Sequence, residues 1–172
     1  MKIEELKTEK CLGILAWTNL GRLACSFDDQ PYVVPFNFVY DGADYLYSFS
    51  TVGQKINWMR VNPRVCIEIE DIKSQYDWTT LVIFGVYEEL PDEPGFKDKR
   101  NYAYELLSRR PMWWQNAFVS GDVRDDIEKY PVYFRIHINK ITGHRGYTED
   151  LDMFLPMGKP AKIDKSSKRG MW

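Results

Sequence analysis

The sequence predicts a mainly β, α+β fold: an antiparallel barrel with peripheral helices. Three observations carry that expectation. Runs of β-branched and aromatic residues, separated by turn residues, recur at 22–27, 32–40, 45–49, 65–70, 77–90 and 132–139. Asp41-Gly42 joins two of these runs as a hairpin, which excludes a parallel crossover there. Helical patterning is confined to the start of the chain, one short crossing and a late insertion, so the strand–helix alternation of a parallel sheet is missing.

The 172 residues, 44% of them hydrophobic, are enough for one domain with a real core. That domain is expected at 1–155, followed by a Lys/Gly/Ser-rich tail at 156–172 that is mobile or loosely docked. The opening MKIEELKTEK is charged throughout, unlike a signal peptide, and no apolar run approaches the roughly 18 residues of a membrane span. A cytoplasmic protein with no membrane partner follows as the expectation. Cys11, Cys25 and Cys66 are odd in number, far apart and in apolar contexts, which fits reduced core thiols better than a disulfide framework or metal ligands. A formal net charge of −2 argues against a nucleic-acid partner.

In chain order, Ile3, Leu6, Leu12, Ile14 and Leu15 fall near helical spacing and predict a helix over 3–16. Asn19-Leu20-Gly21 reads as a turn before the strand at 22–27, and Asp28-Asp29-Gln30-Pro31 as the turn after it. Pro35 interrupts the next run and removes a ladder donor, which assigns that strand to an edge or a bulge. At 65–70, Val65, Ile67 and Ile69 alternate with Cys66, Glu68 and Glu70, a half-exposed strand. The run 77–90 is the longest strand expected, with Gly85 permitting a bend or a close backbone approach. A helix at 96–109 presents Tyr102, Ala103, Leu106 and Leu107, and 122–128 suggests a second short one. Val132, Phe134, Ile136 and Ile138 mark the final strand.

The chemistry concentrates at 45–63, YLYSFSTVGQKINWMRVNP: strand, polar turn, a lysine at a helix opening, and a stop at Asn62-Pro63. A helix start carries unpaired N–H groups and a partial positive charge, so it suits a phosphate, and Lys55 adds a full charge. Thr51-Val52-Gly53-Gln54 equally fits a capping box that satisfies only the helix's own N–H groups. No Walker loop and no G-x-G-x-x-G is present.

The segments GRLACSFDDQPYVVPFNFVYDG, YLYSFSTVGQKINWMRVNPRVCIEIE, DWTTLVIFGVYEEL and VYFRIHINKITGHRG, in this order, resemble the pyridoxamine 5′-phosphate oxidase-like split-barrel flavoproteins. The likeness covers roughly 10–146 and is greatest to their nitroimidazole reductase-like, flavin-nucleotide-binding branch. It implies an FMN-binding homodimer (FAD being possible), with flavin sites in clefts between the subunits and a nicotinamide donor, NADH or NADPH, reducing a small acceptor. Ser50, Gly53, Gln54 and Lys55 would hold the phosphate. Pro35, Phe36 and Asn37 would offer backbone groups to the ring's polar edge, with Ser48 and Phe49 beneath the ring or ribityl chain. Thr79 and Thr80 would add hydroxyls, Trp58, Trp78, Trp113 and Trp114 would wall the cleft, and His144 and Arg145, just past the last strand, would reach ring or substrate.

Each of these residues also has an ordinary reading. Threonines are β-formers, the paired tryptophans suit a core or a dimer interface, and Asp122, Asp125, Asp126 and Glu128 fit a solvated helix face rather than a metal site. His137 falls on a polar strand face, and Arg22 is placed to pair with an acid at a strand edge. With only His137 and His144 as histidine ligands, haem is disfavoured. Ser48 stands where the nitroimidazole reductase-like members often carry histidine, and the Arg-x-His motif of the B6 oxidase is missing, so neither activity is carried over. No nucleophile–base set or carboxylate pair stands out and no catalytic residue is assigned, which fits a protein whose chemistry resides in a flavin. A flavin carrier or sensor without turnover is the alternative.

Overall fold

The structure is a computed structural model that describes residues 1–109 and 131–148. Two turns with left-handed backbone set the register of its sheet. Asp28 (φ 50°) and Asp29 (φ 58°) form the two-residue tip between β2 (Leu20–Phe27) and β3 (Gln30–Asn37). Positive φ at both tip residues matches the twist of the flanking strands, so the ladder runs in register from Phe27–Gln30 to Leu20–Asn37. At the second turn Gly42 has φ 85°, and the Asp41 carboxylate accepts from the N–H groups of Ala43 (2.9 Å) and Tyr45 (3.1 Å). That turn joins β4 (Val39–Tyr40) to β5 (Tyr45–Ser50).

All pairings of the eight-stranded sheet are antiparallel, in the order β3-β2-β6-β7-β8-β5-β4, with β1 (Lys2–Glu5) added on β8. Strands β6 (Arg64–Ser74) and β7 (Asp77–Glu89) form a long hairpin. Strand β8 (Val132–Tyr147) pairs with β7 on one side, and on the other first with β5 and then with β1. This is the split β-barrel expected, with helices at its periphery. As Pro35 implied, β3 is an edge, paired only with β2 on this path.

Inward-facing Leu23, Leu46, Ile67, Leu81, Ile83, Phe134 and Ile136 fill the barrel. Cys11 and Leu15 of α1 (Thr8–Leu15) and Ile56 and Met59 of α2 (Gln54–Val61) close it. A smaller cluster of Val39, Tyr47, Leu90, Ala103 and Leu107 seats α3 (Lys97–Ser108) against the sheet. Gly85 marks a register shift in the β7–β8 ladder, where an added Cβ would stand 2.6 Å from both the His137 carbonyl oxygen and Ile136 Cγ2. The three cysteines are free thiols, two buried and Cys66 half-buried.

Several local expectations are corrected. Residues 2–5 form β1, not the start of a helix, because β8 runs on past β5 and leaves an edge that Lys2–Glu5 fills. The helix begins only at Thr8. Leu20 and Gly21 open β2 instead of turning: a Cβ on Gly21 would stand 2.7 Å from the Glu68 carbonyl oxygen, so glycine serves close strand approach there. The run 32–40 is divided between β3 and β4, and β6 continues to Ser74. At 16 residues β8, not β7 with 13, is the longest strand, and it contains His144 and Arg145. The short helix expected at 122–128, Trp113, Trp114 and the tail at 156–172 lie outside the described residues.

Candidate functional site

Helix α2 follows β5 after only residues 51–53, so its start is held close to the end of that strand. Its N-cap is Gly53, in extended backbone, and no side chain bonds the cap. The capping-box arrangement of Thr51 and Gln54 is therefore not formed, and the first-turn N–H groups at exposed Gly53 and Gln54 have no side-chain cap. Lys55 is half-buried, and among the described residues no carboxylate lies within ion-pair distance of it. Burial pushes its ammonium below the usual lysine range, with the Cys25 thiol opposing. The same burial pushes Cys25 up, opposed by Lys55. A half-buried cation in the first turn of a helix, with no carboxylate partner among the described residues, is incompletely compensated, and a phosphate would compensate it. The residues present fit such a group.

The other predicted positions divide by face. Ser48 is buried, and its hydroxyl donates to the Asn37 carbonyl at 2.7 Å, tying β5 to the end of β3. The Phe36 ring faces the core, stacked on Phe38 (5.4 Å) and Phe134 (6.1 Å). Any ligand contact from Phe36 thus falls to its backbone. Phe49 meets Tyr133 of β8 (5.9 Å), and Ser50 pairs with Val132. Trp58 packs on Tyr32 (5.5 Å) and Phe27 (5.9 Å), docking α2 onto the β2–β3 hairpin. Trp78 lies across the ladder from Gly146, where any Cβ would collide with its indole. Thr79 and Thr80 alternate, so they face opposite sides of the sheet and only one of the two lines any one face. On the outer face, Thr80 stands between Glu70 and His144. His137 is exposed, as its strand face implied.

Sequence reasoning missed what only register reveals. Val33, Ala24, Cys66 and Phe84 stand side by side across β3, β2, β6 and β7 on the outer face. Val33 is 57% and Phe84 47% exposed, so this apolar stripe is open to solvent. Beside it Arg22 pairs with Glu70 at 2.8 Å, the strand-edge ion pair expected. Burial, then the neighbouring Glu70, raises the Glu68 carboxyl, opposed by Arg22. Alternation along each strand was visible in advance, but which residues meet across strands was not.

The fold and this helix start define a split-barrel protein with a candidate anion site. A family model described as pyridoxamine 5′-phosphate oxidase matches residues 7–145. The chain belongs to that family. An uncharacterized protein of Rhizobium meliloti (strain 1021) is 36% identical over 153 residues, spanning 88% of this chain and 100% of its own. The crystal structure of an FAD-binding protein from Mesorhizobium loti is 37% identical and superposes with a TM-score of 0.69, covering 86% of this chain and 99% of that one. An FAD-binding protein from Mycobacterium smegmatis shares the fold at 18% identity, with a TM-score of 0.57 and 84% and 98% of the two chains covered. Among the described residues no helix is long and apolar enough to cross a membrane, and no cluster of three metal-ligating side chains occurs.

Proposed function

We propose that this protein is a homodimeric, FMN-dependent oxidoreductase that takes electrons from a nicotinamide donor, NADH or NADPH, and passes them to a small acceptor. The observation that carries the reading is the open start of α2 beside a half-buried Lys55 without a carboxylate partner among the described residues, in a chain of this family. Ser50, Gly53, Gln54 and Lys55 hold the phosphate. The backbone at Pro35, Phe36 and Asn37 meets the ring's polar edge, and Ser48 fixes that backbone through the Asn37 carbonyl. Phe49 and Trp58 bound the cleft, and Thr79 or Thr80 adds a hydroxyl according to the face the ligand takes.

When bound, the flavin supplies hydride chemistry at its ring, and the chain's own residues bind and orient it. The exposed apolar stripe from Val33 to Phe84 supports pairing with a second copy, since a continuous apolar band on an open sheet face favours burial. FAD is the second reading of the cofactor, favoured by the FAD-binding relative at 37% identity.

The purified protein should be yellow and release a flavin on denaturation, with chromatography distinguishing FMN from FAD. Anaerobic NADH or NADPH should bleach it; a flavin that stays oxidised would make the protein a carrier or sensor. Colourless protein that takes up neither flavin in a fluorescence titration would overturn the proposal.

A further inference from the structure

Helix α2 is tied down at its C-terminal end and open at its N-terminal end. In its last turn, Arg60 donates from Nε to Glu89 Oε2 (2.8 Å) and from Nη2 to Glu89 Oε1 (2.7 Å). The Tyr87 hydroxyl donates to the same Oε2 at 2.8 Å, so both carboxylate oxygens of this β7 residue are engaged. Just beyond the helix, Asn62 Nδ2 donates to the carbonyl and hydroxyl oxygens of Ser26, each at 3.1 Å. The Tyr87 N–H donates to the Pro63 carbonyl at 2.8 Å. Ile56 and Met59 anchor one face in the core.

A bidentate fork is directional as well as attractive, so it resists both rotation of the helix about its axis and tilt away from β7. Tilt matters because α2 is a lever: eight residues span about 12 Å, so a tilt of about 5° at the tail shifts the first turn by about 1 Å. Burial raises the Tyr87 hydroxyl's pKa and keeps it a neutral donor, while the Arg60 hydrogen bonds hold Glu89 below the usual carboxylate range. The fork thus keeps its charges near neutrality.

We propose that the Arg60–Glu89–Tyr87 clamp is the positioning device of the phosphate site: acting along the axis of α2, it sets where the first-turn N–H groups and Lys55 stand. The inference rests on the flavin-phosphate reading above. Arg60, Glu89 and Tyr87 are positioning residues, and none needs to touch the ligand.

The test compares dissociation constants of FMN and of riboflavin, which lacks the phosphate, by flavin fluorescence quenching with the full-length protein. Arg60→Met and Glu89→Gln should each weaken FMN about tenfold and leave riboflavin within about twofold, because only the phosphate contacts are displaced. The exchanged pair Arg60→Glu with Glu89→Arg should recover part of the loss. Should the single variants fold poorly, Tyr87→Phe removes one hydrogen bond and should weaken FMN alone by about two- to threefold. Equal weakening of both ligands, or unchanged FMN affinity in folded variants, overturns the clamp's role. Wild-type protein with no preference for FMN over riboflavin would instead overturn the phosphate reading and the inference with it.

Discussion

Replacing Lys55 with methionine should stabilise the flavin-free protein and sharply reduce its preference for FMN over riboflavin. Lys55 is half-buried with no carboxylate in reach among the described residues, and burial depresses its pKa. A folded-state value below the unfolded one means the folded chain holds fewer protons across that interval, so stability rises with pH through it. The cost of the buried charge is fully present below the folded pKa and is relieved as pH climbs to the ordinary lysine value. Methionine keeps an apolar stem without the charge, so its gain should be largest near neutral pH and shrink towards about pH 10. For the ligand, losing one charge-assisted hydrogen bond costs about 1.5–3 kcal/mol, which is roughly 10- to 100-fold in affinity. Urea unfolding without flavin, run at both pH values, reads the first effect, and parallel titrations of FMN and riboflavin read the second. Unchanged FMN affinity, or a lower urea midpoint in the flavin-free variant near neutral pH, would refute the reasoning.

Other expectations follow from the same geometry. Phe84→Asp puts a charge in the outer apolar stripe and should convert a dimer to monomers in sedimentation; an unchanged mass would remove that face as the interface. Gly85→Ala should cost about 1–3 kcal/mol by overpacking, read as a lower urea midpoint, because its Cβ would stand 2.6 Å from the His137 carbonyl oxygen. Glu88 accepts from Arg135 Nε (2.6 Å) and Lys99 Nζ (2.9 Å). Desolvation raises its carboxyl, but the two cations outweigh it and hold the pKa below the usual range. Its stabilisation is therefore present above the ordinary carboxylate pKa and lost as pH falls through the folded value. Glu88→Gln should cost about 1 kcal/mol near neutral pH, modest because the carboxylate is partly solvated, and the difference from wild type should narrow in acid.

How much could be read in advance depended on whether a signal was local. The Asp41-Gly42 hairpin, the edge assignment from Pro35, the strand–turn–helix at 45–63 and its stop at Asn62-Pro63 rest on backbone preferences of a few residues, and each appears in the structure. The start of the chain failed for the opposite reason. Ile3 and Leu6 have helical spacing with later apolar residues, yet pairing with β8 outweighs that weak preference. Gly21 looked like a turn because its real constraint, the Glu68 carbonyl across the ladder, lies far along the chain. The same limit hid the tie at the tail of α2. Arg60 and Glu89 are separated by 29 residues, and nothing in either neighbourhood signals that they meet. Lys55 was legible as a helix-opening lysine, whereas its burial and its closeness to Cys25 required the packing of α2 on β2.

Two connections of different kind therefore define where the start of α2 stands. Covalent continuity holds it near the end of β5, since only residues 51–53 intervene. Non-covalent ties hold the tail to β7 through Glu89 and to β2 through Ser26. With its tail tied and its start joined to β5 by a short link, α2 has limited freedom to lose, so on the proposed reading its first-turn N–H groups would be pre-arranged for an anion. That economy has a counterpart in the uncapped turn and the desolvated Lys55, which lower the stability of the ligand-free chain. None of the described helices has a side-chain N-cap, so the uncapped start of α2 is not distinctive by itself; Lys55 is, because burial depresses its pKa and no carboxylate stands in ion-pair reach among the described residues. On the proposed reading a phosphate at this helix start would compensate that charge.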